Sequence, residues 1–278
     1  MLGLEPLNKL GELQKVGGEA EIAYLYAMRY FAELSYRGTH YCGWQRQPNS
    51  PSVQEAIETQ LSLILQQETS IVGCGRTDTG VHALHYFMHF DLPESTLPPN
   101  FLHRLNKMLP QDIVLHRLLP VADEAHARYD AFQRSYQYDL HFEKSPFLAD
   151  RSFHYPYRQK PDPQKVQAAA QLLLNYRAFY PFCKSNSDVK TMNCELSQAK
   201  WSFDNKGGWS FNITANRFLR GMIRLIVGMC LNVGLDKVSL DDVRQALDRQ
   251  ERLQKNWSVP PEGLFLRDIR YPYISSEK

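Results

Sequence analysis

The chain has 278 residues, 43% of them hydrophobic, with 32 Lys and Arg against 30 Asp and Glu for a formal net charge of +2. That length holds one large domain or two small ones with a real core, and no apolar run reaches the roughly 20 residues of a membrane helix. No secretory pattern opens the chain, and five scattered cysteines without a CxxC pair argue against a disulfide framework or a zinc ribbon.

We therefore expect a reducing, cytoplasmic setting. So small a net charge says little about a nucleic-acid partner, so the local distribution of arginine has to carry that argument. Residues 1–27 show no sustained period and read as a disordered N-terminal extension without function. The rest divides into an N-terminal half, 28–145, and a C-terminal half, 146–278.

Tyr30 to Tyr36 alternates as a strand. A loop follows, dense in aromatics, glycine and arginine: Tyr36, Arg37, Gly38, Tyr41, Gly43, Trp44, Gln45, Arg46, Gln47. Rings that stack on bases, interleaved with arginines that reach phosphates, suit RNA contact. Taken alone, Trp44 reads as a packed core residue. Ser52 with Glu55 predicts a capped helix start, with Val53, Ala56, Ile57, Leu61, Ile64 and Leu65 on one face. A short strand from Ser70 leads into Gly73-Cys74-Gly75-Arg76-Thr77-Asp78-Thr79-Gly80-Val81-His82. Its glycines allow a tight backbone, and a lone carboxylate held in such a turn suits a nucleophile or base. Strings of this kind also occur in ordinary turns, where Asp caps its own backbone.

After the turn, His85 to Leu92 alternates as a strand with Tyr86, Met88, Phe90 and Leu92 on one side. Pro99 to Leu109 predicts a short helix and Ile113 to Leu119 a strand. His126 to Ala131 leads into a strand over Ser135 to Leu140, where Tyr136, Tyr138 and Leu140 share a face; Tyr138 reads as packing. Pro146 to Pro163 reads as a linker with a strand-like Phe153 to Tyr157, and Asp162 starts a helix. Glu195 to Phe203 and Trp209 to Ala215 read as a hairpin turning at Asn205-Lys206-Gly207-Gly208. In Asn216 to Gly228, helical spacing would set Arg217, Arg220 and Arg224 near one face. Arg224 sits among apolar neighbours, where a half-buried guanidinium wants a carboxylate. Ser239 and Asp242 cap one more helix, to about Arg249, and Pro260 to Leu266 closes the chain's regular part.

Gly-Arg-Thr-Asp-x-Gly-Val-His resembles the active-site signature of the TruA family of tRNA pseudouridine synthases. Three further segments match in order: Tyr36 to Gln47, the Arg-x-Tyr-x-Tyr element holding Tyr136, and Met222-Ile223-Arg224 with Glu262-Gly263-Leu264 beyond it. The resemblance spans roughly Arg29 to Tyr273. The departures are Thr79 where alanine is commoner, His85-Tyr86-Phe87 beyond the signature, and Phe218 to Gly221 in place of a His-rich segment.

The resemblance implies an α+β fold in which two similar α/β halves form one continuous mixed, mainly antiparallel sheet flanked by helices, with a central active-site cleft. It implies isomerisation of uridine to pseudouridine at tRNA positions 38, 39 and 40 of the anticodon arm, by a homodimer, without cofactor or metal. Asp78 is then the catalytic carboxylate, paired with Arg224. Tyr136 stacks on the target base, and Leu264 lines its pocket. Arg76 and Thr77 in the signature, Tyr41, Trp44, Gln45 and Arg46 in the aromatic loop, and Arg217 and Arg220 are its substrate contacts. A guanidinium about 4 Å from the carboxylate contributes on the order of 4 kcal/mol at an effective dielectric of 20, before desolvation.

Two other readings use the same residues. Asp78, His82, His85 and His89 could present metal ligands if that stretch were a helix, as in a metal-dependent hydrolase. A non-catalytic RNA-binding module would explain the rings and arginines without needing Asp78 in a constrained turn.

Overall fold

The computed structural model describes residues 27–93, 97–184, 190–204 and 207–275. The expectation for the N-terminal extension falls almost wholly outside them, as does the Asn205-Lys206 corner of the hairpin. Among the described residues, nine strands form one sheet. In chain order these are β1 (Ala27–Tyr36), β2 (Val72–Gly73), β3 (His82–Pro93), β4 (Ile113–Val121), β5 (Gln133–His141), β6 (Phe153–His154), β7 (Leu196–Phe203), β8 (Gly208–Ala215) and β9 (Leu264–Arg270). The spatial order is β4-β1-β3-β9-β5-β8-β7, with β2 on β3 and β6 on β5. Pairing is antiparallel except at β5–β6 and at β3–β9, where His82 meets Phe265 and Ala83 meets Leu266. The sheet is therefore mixed and mainly antiparallel, as the resemblance implied.

The short parallel β3–β9 contact is the seam of the molecule. On one side, α1 (Val53–Leu65) and α2 (Phe101–Met108) pack on β1, β3 and β4. On the other, α3 (Pro163–Leu172), α4 (Met222–Gly234) and α5 (Leu240–Arg249) cover β5, β7 and β8. β5 comes early in the chain but is built between β9 and β8, beyond the seam. The helices start where the sequence provides caps. The Ser52 hydroxyl accepts from Glu55 N, Asp162 accepts from Gln164 N and Lys165 N, and Ser239 with Asp242 completes a reciprocal capping box.

One expectation is corrected and another extended. The helix carrying Arg224 begins at Met222, after Gly221 in the left-handed conformation (φ 69°), so Arg217 and Arg220 lie in the preceding loop rather than on its face. Strand β3 also buries both faces: Tyr86, Met88 and Phe90 pack under the helices, while Phe87 and His89 lie against Phe31 and Phe87 against Tyr271. Alternation in the sequence identified only the first set, because the second face is covered by segments far away in the chain.

Candidate active site

The signature turn joins β2 to β3 and is held from below by the aromatic loop. Trp44 N donates to Thr77 O at 3.3 Å, Gly80 N donates to Tyr41 O at 3.2 Å, and Val81 N closes the turn on Asp78 O at 3.1 Å. The Thr77 hydroxyl shares a 2.8 Å hydrogen bond with Tyr36 Oη. The two loops approach so closely at Gly43 (φ 93°) that a Cβ there would stand 2.3 Å from Thr77 O. Asp78 is thus fixed through its backbone, and its side chain is left free to act.

That side chain meets Arg224 from across the seam. Arg224 Nη1 stands 3.6 Å from Asp78 Oδ2, with side chains 14% and 27% exposed. The guanidinium is itself anchored: Nε donates to Val259 O at 2.6 Å, and Val259 N returns a bond to Arg224 O at 3.3 Å. At 3.6 Å the two groups attract as charges without a direct hydrogen bond. The carboxylate therefore gains favourable charge while its lone pairs stay available.

Tyr136, on β5, lies opposite Leu266 on β9 and packs edge-on to Phe218, with ring centroids 5.3 Å apart. Burial pushes its hydroxyl well above the ordinary tyrosine value, and nearby Cys74 and Asp78 push it the same way. Leu264 is buried two residues along β9 from Leu266, opposite Tyr138, whose hydroxyl donates to Pro260 O at 2.9 Å. Asp78, Arg224, Tyr136 and Leu264 therefore come from four different elements to one end of the seam.

The remaining sequence-derived contacts divide. Arg76, Gln45 and Arg220 are exposed. Arg46 is exposed and lies 3.6 Å from Glu55 and 3.7 Å from Glu58. Arg217 donates to Thr191 O at 3.3 Å. Tyr41 and Trp44 are corrections: both are buried, Trp44 stacked on Tyr86 at 4.1 Å and Tyr41 donating to Asp112 at 2.8 Å. Their rings support the turn from within the core. Thr77 likewise spends its hydroxyl on Tyr36. Sequence reasoning met Tyr36 and Arg134 only as members of longer motifs and gave neither a role of its own, because an inward hydroxyl on a strand and a guanidinium satisfied by backbone carbonyls leave no pattern along the chain.

The hydrolase reading needs a helix where the structure has β3. His82 accepts from Gly38 N through Nδ1, His89 accepts from Ala127 N through Nδ1, and His85 lies between Glu33 and Asp268. Among the described residues no three His, Cys, Asp or Glu side chains cluster as metal ligands. A cavity of 540 Å³ opens beside the signature turn, lined by Thr79, Gly80, His141, Lys144, Asp150 and Glu262 among others. Neither Asp78 nor Arg224 lines it.

Comparison with known proteins gives the family. A family model described as tRNA pseudouridine synthase matches residues 32–130 and 169–272. A Porphyromonas gingivalis protein named tRNA pseudouridine synthase A is 44% identical over 247 residues, 88% of this chain and 97% of its own. Proteins of the same name from Bacteroides fragilis and Caldicellulosiruptor bescii are 42% and 33% identical, over 88% and 86% of this chain and 96% and 97% of their own.

Proposed function

Because this chain belongs to the tRNA pseudouridine synthase family, we propose that it isomerises uridine to pseudouridine in tRNA with Asp78 as the catalytic carboxylate. The observation that carries the assignment is the 3.6 Å pairing of Asp78 with Arg224 across the seam. In the reaction the bond from C1′ to N1 of the uracil breaks, the base turns, and C1′ bonds to C5. The proton on C5 is lost and N1 gains one, so the product is an isomer.

Every route to this exchange calls for an ionised carboxylate beside the sugar and base, whether it adds to either one or removes a sugar proton. Arg224 favours that charge and aims it. The target base has to leave its stack, at a cost of a few kcal/mol. Tyr136 and Leu264 offset part of that cost by enclosing the base, and Arg76 receives the phosphate of the extruded nucleotide. Gln45, Arg46, Arg217 and Arg220 lie on segments that extend the contact along the RNA. The substrate uridines are those at positions 38, 39 and 40 of the anticodon arm, the enzyme works as a cytoplasmic homodimer, and one tRNA spans both subunits. No helix among the described residues is long and apolar enough to cross a membrane.

The test is to incubate purified protein with an unmodified tRNA transcript, map pseudouridine at single-nucleotide resolution, and run Asp78→Asn alongside. Pseudouridine confined to the anticodon arm and abolished in the variant is expected. An active Asp78→Asn enzyme would remove Asp78 from the chemistry.

A further inference from the structure

Arg134 lies on β5 two residues from Tyr136, and its guanidinium is occupied by main-chain oxygens alone. Nη1 donates to Ala131 O at 2.7 Å and to Asn216 O at 2.8 Å. Nη2 donates to Arg128 O at 2.7 Å and to Cys74 O at 3.3 Å. Four terminal N–H groups thus meet four carbonyls from three separate segments, and no carboxylate pairs with the charge among the described residues. A planar fork can do this, whereas a lysine ammonium, with three donors on one nitrogen, cannot.

Each of the three segments carries an arginine next to its anchor. Arg76 follows Cys74 by two residues, Arg217 follows Asn216 directly, and Arg128 supplies its own carbonyl. Arg76 and Arg128 are exposed, with no acidic partner among the described residues. The Arg128 segment also presents Tyr129, 75% exposed, and Phe132, 53% exposed. The Arg128 guanidinium lies over the Tyr129 ring, 5.8 Å from its centroid, and exposed rings beside exposed arginines suit RNA contact.

We propose that Arg134 is a positioning residue, holding the segments of Arg76, Arg128 and Arg217 as one phosphate-binding rim beside the signature turn, with Arg128 a further RNA contact. This rests on the tRNA-modifying reading above. Four bonds from one side chain fix the spacing of the three segments that carry these arginines in advance. Phosphates then bind without the cost of ordering each loop separately.

The experiment measures tRNA affinity across a series of salt concentrations, together with single-turnover pseudouridine formation at saturating tRNA. Each phosphate contact contributes about 0.7 to 0.9 to the slope of log affinity against log salt. Arg128→Ala, an exposed change with little bearing on folding, should reduce that slope by about one. Arg134→Gln should reduce it by two or more and weaken binding roughly tenfold, and Arg134→Lys should not restore it. The loss should fall on affinity more than on the saturated single-turnover rate. A merely structural Arg134 would lower the thermal midpoint and leave the salt slope of the folded fraction unchanged, which overturns the proposal. So does an unchanged slope in Arg128→Ala, which decides the matter alone if Arg134→Gln does not fold. Wild-type protein that binds tRNA with a steep slope but makes no pseudouridine would sink the enzymatic reading and leave the rim standing.

Discussion

At the scale of single residues, the site depends on an arginine with two tasks. Arg224 bonds Val259 O through Nε and faces Asp78 through Nη1. A lysine has one nitrogen and cannot hold the carbonyl at 2.6 Å while keeping its charge 3.6 Å from the carboxylate. Arg224→Lys should therefore lower the single-turnover rate by roughly 30-fold, about 2 kcal/mol at 1.36 kcal/mol per tenfold. Stability should change little, since a cation and the apolar stem are kept. Wild-type turnover in that variant would show that Arg224 neither aims nor charges the carboxylate. Both partners were legible in the sequence, one from a Gly-rich string and one from an arginine set among Met222, Ile223 and Leu225. The contact itself was implied only by the family resemblance, because 146 positions of chain separate the two residues and no local pattern encodes their meeting.

At the scale of elements, the signature turn owes its shape to the aromatic loop beneath it. The sequence marked that loop as chemically dense, and the structure divides the density by direction. Gln45 and Arg46 face solvent, while Tyr41 and Trp44 turn inward and grip the turn through their backbones. Burial direction in a loop has no period, so composition alone could not separate the two groups. The start of α4 was obscured for a similar reason: Arg217, Arg220 and Arg224 keep a helical spacing by count, but Gly221 at φ 69° breaks the run. The clamp between loops gives a sharp test. Gly43→Ala would force an L-residue to φ 93° and drive its methyl to 2.3 Å from Thr77 O. Strained backbone of this kind costs of order 1–3 kcal/mol, so the unfolding free energy measured in urea should fall by about that much, with a lower midpoint. Because the displaced atom belongs to the residue before Asp78, activity per folded molecule should fall as well. A variant with lower stability but full specific activity would mean that the turn keeps its shape without the aromatic loop.

At the scale of the whole molecule, the two cores interlock across the seam. Val81, from the end of the signature turn, packs in the core under α3, α4 and α5, and Leu266, Ile269 and Tyr271, from near the end of the chain, pack in the core under α1 and α2. The same interlocking buries neutral histidines. His82 accepts from Gly38 N through Nδ1, and its Nε2 lies 3.2 Å from Glu262 O, which ties both sides of the seam to one ring. His89 accepts from Ala127 N at 3.1 Å and stacks on Phe31. Burial lowers the affinity of both rings, and of His126 and His141, for a proton. For His89 the value falls to about 4: burial is the main cause, Arg29 and His126 act with it, and Asp91 and Asp130 oppose. The sign follows directly. An unfolded histidine takes its proton near pH 6.5, while the folded one resists until much lower pH, so acid favours the unfolded chain. The stabilisation is complete above about pH 6.5 and is lost as pH falls toward 4, on the order of 3 kcal/mol for His89 alone. Urea unfolding measured from pH 8 to 4.5 should therefore show a decline that begins near 6.5, before most carboxylates titrate. In His89→Gln, whose amide oxygen can still accept from Ala127 N, the decline should be shallower and the stability at pH 8 close to wild type. Equal slopes in the two proteins would mean that the His89 ring is solvated in solution, and that the segment from Ala125 to Ala131, which carries Arg128, is not packed on β3 as the structure has it.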